Sequence, residues 1–128
     1  SRGYTRFKLY GALGGRLDHS LANVHLLAGL GRAGMRGIIV APEVTVLQVS
    51  DGVLTIPPLP KGTPVSVFAW GGSARGVTLS GLRYPLCEAA LDPFIPLGVS
   101  NEATGGPVRV QVRDGTLIVT VLHAKAQA

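Results

Sequence analysis

The sequence predicts a mainly β protein: a C-terminal β-sandwich preceded by a strand-helix-strand remnant of an α/β layer. Three observations lead there. Eighteen glycines and nine prolines punctuate short runs of Val, Leu and Ile, the pattern of short strands joined by turns. Helical spacing of apolar residues is confined to one stretch near the N-terminus, and after Pro42 only strand-like runs follow.

Each element has its own local reason. Tyr4 to Leu9 alternates apolar and basic residues and runs toward Gly11, as a strand entering a Gly-rich turn does. From Asp18 to about Ala33 the apolar positions Leu17, Leu21, Val24 and Ala28, flanked by Leu27 and Leu30, recur at helical spacing, with Asp18 or Ser20 as the cap and Gly34 as the stop. Met35 to Val40 then reads as a short buried strand. One helix cannot cover both faces of a parallel sheet, so this layer is expected to be the closing piece of a larger one. Beyond Pro42, Val44–Val49, Val53–Ile56, Val65–Trp70, Val77–Leu82, Val108–Val112 and Leu117–Leu122 are short, β-branched and bounded by Gly, Pro, Asp or Ser. Asp51-Gly52 and Asp114-Gly115 have the composition of tight hairpin turns. Six or more strands in this span suit two packed sheets. The division expected is 1–42 for the α/β remnant and 43–128 for the sandwich.

Bulk properties narrow the function classes. The 128 residues are 46% hydrophobic with mean hydropathy +0.35, too apolar for disorder, yet no apolar run nears the roughly 20 residues that span a bilayer. A soluble protein with no membrane partner is expected. Cys87 is the single cysteine and has no partner within the chain. With no charged-then-apolar leader, a cytoplasmic location is the expectation. The net charge of +5 would suit a polyanion or a smaller phosphorylated ligand. Six of the twelve basic residues lie in the first 36 positions and the rest are scattered singly, without a basic run interleaved with aromatics. Nucleic acid is therefore not the expected partner. His19, His25 and His123 lack metal-ligand spacing, so neither a zinc site nor a thiol nucleophile at Cys87 is expected.

The turn Gly14-Gly15-Arg16-Leu17-Asp18-His19 stands between a predicted strand and a predicted helix. Glycines there let the backbone approach a ligand, the helix N-terminus offers N–H groups to phosphate, and Arg16 adds a planar fork for its oxygens. The same residues also fit a plain Gly-rich turn capped by Asp18, with Arg16 in water.

Four ordered segments carry a resemblance that covers most of the chain: Gly11 to Asn23 (Gly-Ala-Leu-Gly-Gly-Arg-Leu-Asp-His-Ser-Leu-Ala-Asn), Val77 to Leu86, Leu97 to Glu102, and Asp114 to Val119. Together they are similar to thiamine pyrophosphokinases, in the C-terminal part that includes the thiamine-binding domain. The resemblance implies transfer of the pyrophosphoryl group of ATP to the hydroxyethyl oxygen of thiamine, with Mg2+, giving thiamine diphosphate and AMP. It also implies an N-terminal α/β domain that binds nucleotide, of which residues 1–42 would be the end, and a homodimer with its active site between subunits. The family's metal-holding aspartates belong upstream of the segments present here, and a magnesium polyphosphate needs several such oxygens. No metal ligand is therefore assigned, and the fragment is expected to be inactive alone. Val44-Thr45 is less polar than the resemblance leads one to expect.

By the same resemblance Tyr84 takes the position that stacks on thiamine, where a thiazolium gains cation–π attraction. Ser100 and Asn101 carry groups able to read the aminopyrimidine edge, although both also suit an ordinary polar turn. Arg16 and Asp18 are the candidate catalytic residues, and Gly14, Gly15 and Arg16 the candidate phosphate contacts. Phe68 and Trp70 share one face of a strand, in core or interface. A reading from a different class is a non-catalytic β-sandwich used for oligomerisation or ligand binding.

Overall fold

In the computed structural model of the chain, residues 6–10, 29, 36–93 and 100–123 are described, and they form eight strands. These are β1 (Arg6–Tyr10), β2 (Arg36–Val40), β3 (Val44–Ile56), β4 (Pro64–Ala69), β5 (Ala74–Ser80), β6 (Leu86–Leu91), β7 (Asn101–Glu102) and β8 (Val108–Leu122). The expected helix lies outside the described residues except for Gly29, whose backbone is helical.

Two long strands organise the molecule. β3 and β8 pair antiparallel along nearly their whole length, from Val44 against Leu122 to Ile56 against Val108. Each half of this ribbon recruits different neighbours. Val119 in the second half of β8 faces Leu47 of β3 on one side and Val67 of β4 on the other. Val110 in the first half lies between Leu54 of β3 and Leu79 of β5. One layer thus runs β1-β2-β3-β8-β4-β7, and the other is built from the remaining halves of β3 and β8 with β5 and β6. The core between the layers includes Val49, Val67, Leu117 and Val119 from the first and Leu54, Val77, Leu79 and Val110 from the second.

Burial along β8 explains why its two halves read differently in sequence. Val108, Val110 and Val112 are buried while Arg109 and Arg113 are exposed, the alternation of a sheet with one wet face. From Thr116 to Val119 burial is continuous, because the central strand of the first layer is covered on both sides. Ile39, Val46, Gln48 and Ile118 are buried on the face away from the main core. Phe68 and Trp70 are half-buried, and Phe68 faces Ile118 across the ladder. They share a face as expected, on the side away from the sandwich core.

Asp51-Gly52 and Asp114-Gly115 are not hairpin turns. They lie opposite each other inside continuous strands, where the β3–β8 register shifts between Ser50 and Gly52. The four runs expected on either side of them are the halves of two bent strands. Asp51 is held at φ 45° and Gly115 at φ 122°, and the Gly115 N–H donates to Asp51 Oδ1 at 2.8 Å. A Cβ on Gly115 would stand 2.9 Å from the Ala74 Cα. Only glycine lets β5 approach this corner so closely.

β1 and β2 are parallel, and β2 joins β3 antiparallel through Ile38 to Val40. The sheet therefore continues across the compositional break at Pro42. β6 and β7 were not anticipated as strands. β6 carries Cys, Glu and Ala rather than β-branched residues, pairs among the described residues with β5 alone, and meets it with two register shifts. Glu88 within it has φ 49°.

Candidate functional site

Three of the residues singled out in the sequence come together where the strand pair β4–β7 ends. Past β5, Leu82 forms a bridge with Ala103, and Arg83 N–H donates to Glu102 O at 2.8 Å. The segment 82–84 thus runs antiparallel beside residues 101–103, and Tyr84 arrives next to Asn101.

Asn101 is only 3% exposed, and its amide spends its groups on main chain. Oδ1 accepts from Tyr84 N–H at 2.9 Å and from Glu102 N–H at 3.0 Å, while Nδ2 donates to Tyr84 O at 2.7 Å. A buried amide is costly unless satisfied. Here it is satisfied by clamping both polar groups of the Tyr84 backbone. One N–H of the amide group is not accounted for by these bonds. With its backbone held, Tyr84 turns its side chain outward; it is 56% exposed, which is unusual for a large aromatic residue.

Ser100 is exposed and sits at φ 66°, and its N–H donates to Ser66 Oγ on β4 at 3.1 Å. Ser66 lies in register with Thr120 on the face opposite the core, whereas Asn101 pairs with the core residue Val65. The adjacent Ser100 and Asn101 are thereby anchored to neighbouring residues of β4 that belong to opposite faces.

Two charged neighbours complete the arrangement. The Arg83 Cζ is 5.2 Å from the centroid of the Tyr84 ring, and Arg83 Nη1 is 3.7 Å from Glu102 Oε2. Arg83 and Glu102 stood inside two of the motif segments, one position from Tyr84 and Asn101, but nothing in their spacing marks them as touching. Ser66 carried no signal at all, since its role depends on β4 pairing with β7. Thr45, at the start of β3 as expected, hydrogen-bonds through Oγ1 to the ring Nε2 of His123.

Gly14, Gly15, Arg16 and Asp18 lie outside the described residues. Among the described residues no group of three or more His, Cys, Asp or Glu side chains is placed to hold a metal ion. Asp51 accepts from Gly115 N–H, Glu88 pairs with Arg113 at 3.0 Å and Glu102 with Arg83. These acids do not fit a magnesium polyphosphate, which calls for converging carboxylates. Cys87 is an exposed free thiol. No helix among the described residues is long and apolar enough to cross a membrane.

Comparison with known proteins follows the same lines. The model of the vitamin B1 binding domain of thiamin pyrophosphokinase matches residues 53–117, just over half of the chain. Among curated proteins no match is found. Among solved structures, a thiamine pyrophosphokinase from Bacillus subtilis superposes with a TM-score of 0.84 at 22% identity, covering 93% of this chain and 56% of that one. One from Geobacillus thermodenitrificans gives 0.79 at 25% identity over 98% of this chain and 56% of that one. That from Candida albicans gives 0.77 at 13% identity, covering 93% and 44%. The chain thus spans little more than half the length of the first two and less than half of the third. With just over half of its residues matched by that family model, the chain belongs to the thiamin pyrophosphokinase family, in its vitamin B1 binding domain.

Proposed function

We propose that this chain supplies the thiamine-binding part of a thiamine diphosphokinase, which transfers the pyrophosphoryl group of ATP to thiamine and releases AMP. The observation that carries this reading is the exposed Tyr84 ring on a backbone clamped by the buried Asn101 amide. A planar cation gains most from an aromatic face that is held still and left open on one side. Tyr84 stacks on the ligand, Ser100 offers its hydroxyl to the aminopyrimidine, and Asn101 acts chiefly by fixing Tyr84, with one amide N–H left for the ligand edge.

In the same reading residues 1–42 are the end of a nucleotide-binding α/β domain and 43–128 the thiamine-binding sandwich. Arg16 and Asp18 face the transferring phosphates, with Gly14 and Gly15 admitting them close to the backbone. Magnesium would neutralise the polyphosphate, held by acids outside the described residues. The chain by itself then binds thiamine without turning it over, and the complete site forms in a cytoplasmic homodimer.

Scanning fluorimetry with thiamine, pyrithiamine and ATP tests the assignment. A rise in the melting temperature with thiamine, absent in Tyr84→Ala, is expected; no shift with thiamine or pyrithiamine removes its support.

A further inference from the structure

The ring proposed to receive thiamine already carries a cation. The Arg83 guanidinium carbon stands 5.2 Å from the Tyr84 centroid, inside the roughly 6 Å reach of a cation–π contact. Its Nη1 is 3.7 Å from Glu102 Oε2. The backbones of all three residues are tied together, by Arg83 N–H to Glu102 O and by the Asn101 amide to Tyr84 and Glu102. The Arg83 and Glu102 side chains are not tied in this way, being 60% and 42% exposed. The guanidinium can therefore leave the ring while the ladder beneath it stays intact.

We propose that Arg83 is a built-in competitor at the Tyr84 site: its guanidinium occupies the ring face that a planar organic cation takes, and binding displaces it toward Glu102. The inference rests on the reading of Tyr84 as the stacking residue. Guanidinium and thiazolium are both flat, delocalised cations and are drawn to the same negative ring face. Leaving Arg83 in place and stacking the ligand on the opposite face would set two positive charges on one ring. Displacement avoids this, and Glu102 gives the departing guanidinium a carboxylate already within reach. The affinity observed for the ligand is then its own stacking energy less the contact it breaks.

Calorimetric titration of thiamine into the full chain, Arg83→Gln, Tyr84→Leu and the double variant tests this. Arg83→Gln should tighten binding roughly two- to five-fold, the equivalent of losing one exposed cation–π contact. In the Tyr84→Leu background the same substitution should change nothing, because no ring remains to be vacated. Unchanged or weaker binding in Arg83→Gln, with measurable binding by the unsubstituted chain, overturns the inference and leaves the thiamine site standing. Failure of the unsubstituted chain to bind thiamine overturns the site assignment itself, and the inference falls with it. NMR gives a readout independent of affinity. The Arg83 Nε–H resonance should be ring-current shifted in the free chain, absent that shift in Tyr84→Leu, and lose it on saturation with thiamine. A shift that persists at saturation means that the guanidinium stays on the ring, against the proposal.

Discussion

Asn101 shows how a single side chain can convert burial into presentation. Removing its amide leaves the Tyr84 and Glu102 N–H groups and the Tyr84 carbonyl without their partner. Asn101→Ala should cost about 1–3 kcal/mol in denaturant unfolding and weaken thiamine binding, since the ring loses its anchored backbone. Asn101→Asp keeps the acceptor but sets a buried carboxylate oxygen against Tyr84 O in place of the Nδ2 donor, so a loss of both at least as large as in Asn101→Ala is expected. Equal affinity across the three proteins would mean that Tyr84 does not need the clamp. Gly81 supports the same segment from the other side. It sits at φ 80°, and a Cβ there would stand 2.0 Å from the Pro107 carbonyl oxygen, which is backbone and cannot swing away. Gly81→Ala should destabilise by about 2–4 kcal/mol. Gly105→Ala is the control, because its φ of 102° is strained in the same sense but its nearest neighbour is the Lys61 Cβ at 3.9 Å. The expected loss there is about 1–2 kcal/mol, and similar melting temperatures for the two variants would mean that the clash at Gly81 is relieved by backbone movement.

At the level of elements, the bend of the β3–β8 ribbon makes two layers out of two strands. Asp51 does two things there. It adopts a left-handed conformation at φ 45°, which Asp and Asn tolerate better than other non-glycine residues, and it accepts the Gly115 N–H. The Ser50 and Thr116 hydroxyls hydrogen-bond at 2.7 Å beside it. Asp51→Asn retains conformation and acceptor and should lie within about 0.5 kcal/mol of the parent. Asp51→Gly loses the acceptor but relieves the strain. Asp51→Ala loses the acceptor and keeps the strain, and should be the least stable by about 1–2 kcal/mol. Any order that places Ala above Gly would contradict the account of the bend. The Asp-Gly pairs were visible in the sequence as places needing positive φ, but a two-residue hairpin and a bulge make the same local demand. What separates them is the strand opposite, and for each of these pairs the strand opposite contains the other pair.

For the molecule as a whole, stability should reside in the core that both halves of the ribbon share. Leu117 is fully buried within it, and Leu117→Ala should cost about 2–5 kcal/mol in chemical unfolding. Continuity of the sheet across Pro42 leads to a further expectation. A chain beginning at Glu43 would keep the core cluster but lose β2, exposing the β3 edge at residues 45–47 and the buried Val46. Open edges of this kind invite pairing with another chain. Light scattering should find more self-association, and a lower melting temperature, than in the full chain. A monomer of unchanged stability would mean that residues 1–42 contribute nothing to the sandwich.

The sequence by itself determined the class of fold, the family, and the segments that carry Tyr84, Ser100 and Asn101. Those features are written in local periodicity, in turn residues and in ordered motifs, each of which is complete within a few positions. Only the tertiary structure decided that six of the expected runs after Pro42 are the halves of two bent strands and two shorter neighbours, that an alanine-rich segment pairs as β6, and that Asn101 is buried against main chain while Tyr84 is turned outward. It also decided that Arg83 lies on that ring. These depend on which strand stands opposite which, a matter of hydrogen bonds between residues far apart in the chain: the Asn101 amide reaches Tyr84 across 17 positions and Asp51 reaches Gly115 across 64. Local residue chemistry specifies what each group can bond to, and chain topology selects the partner it meets.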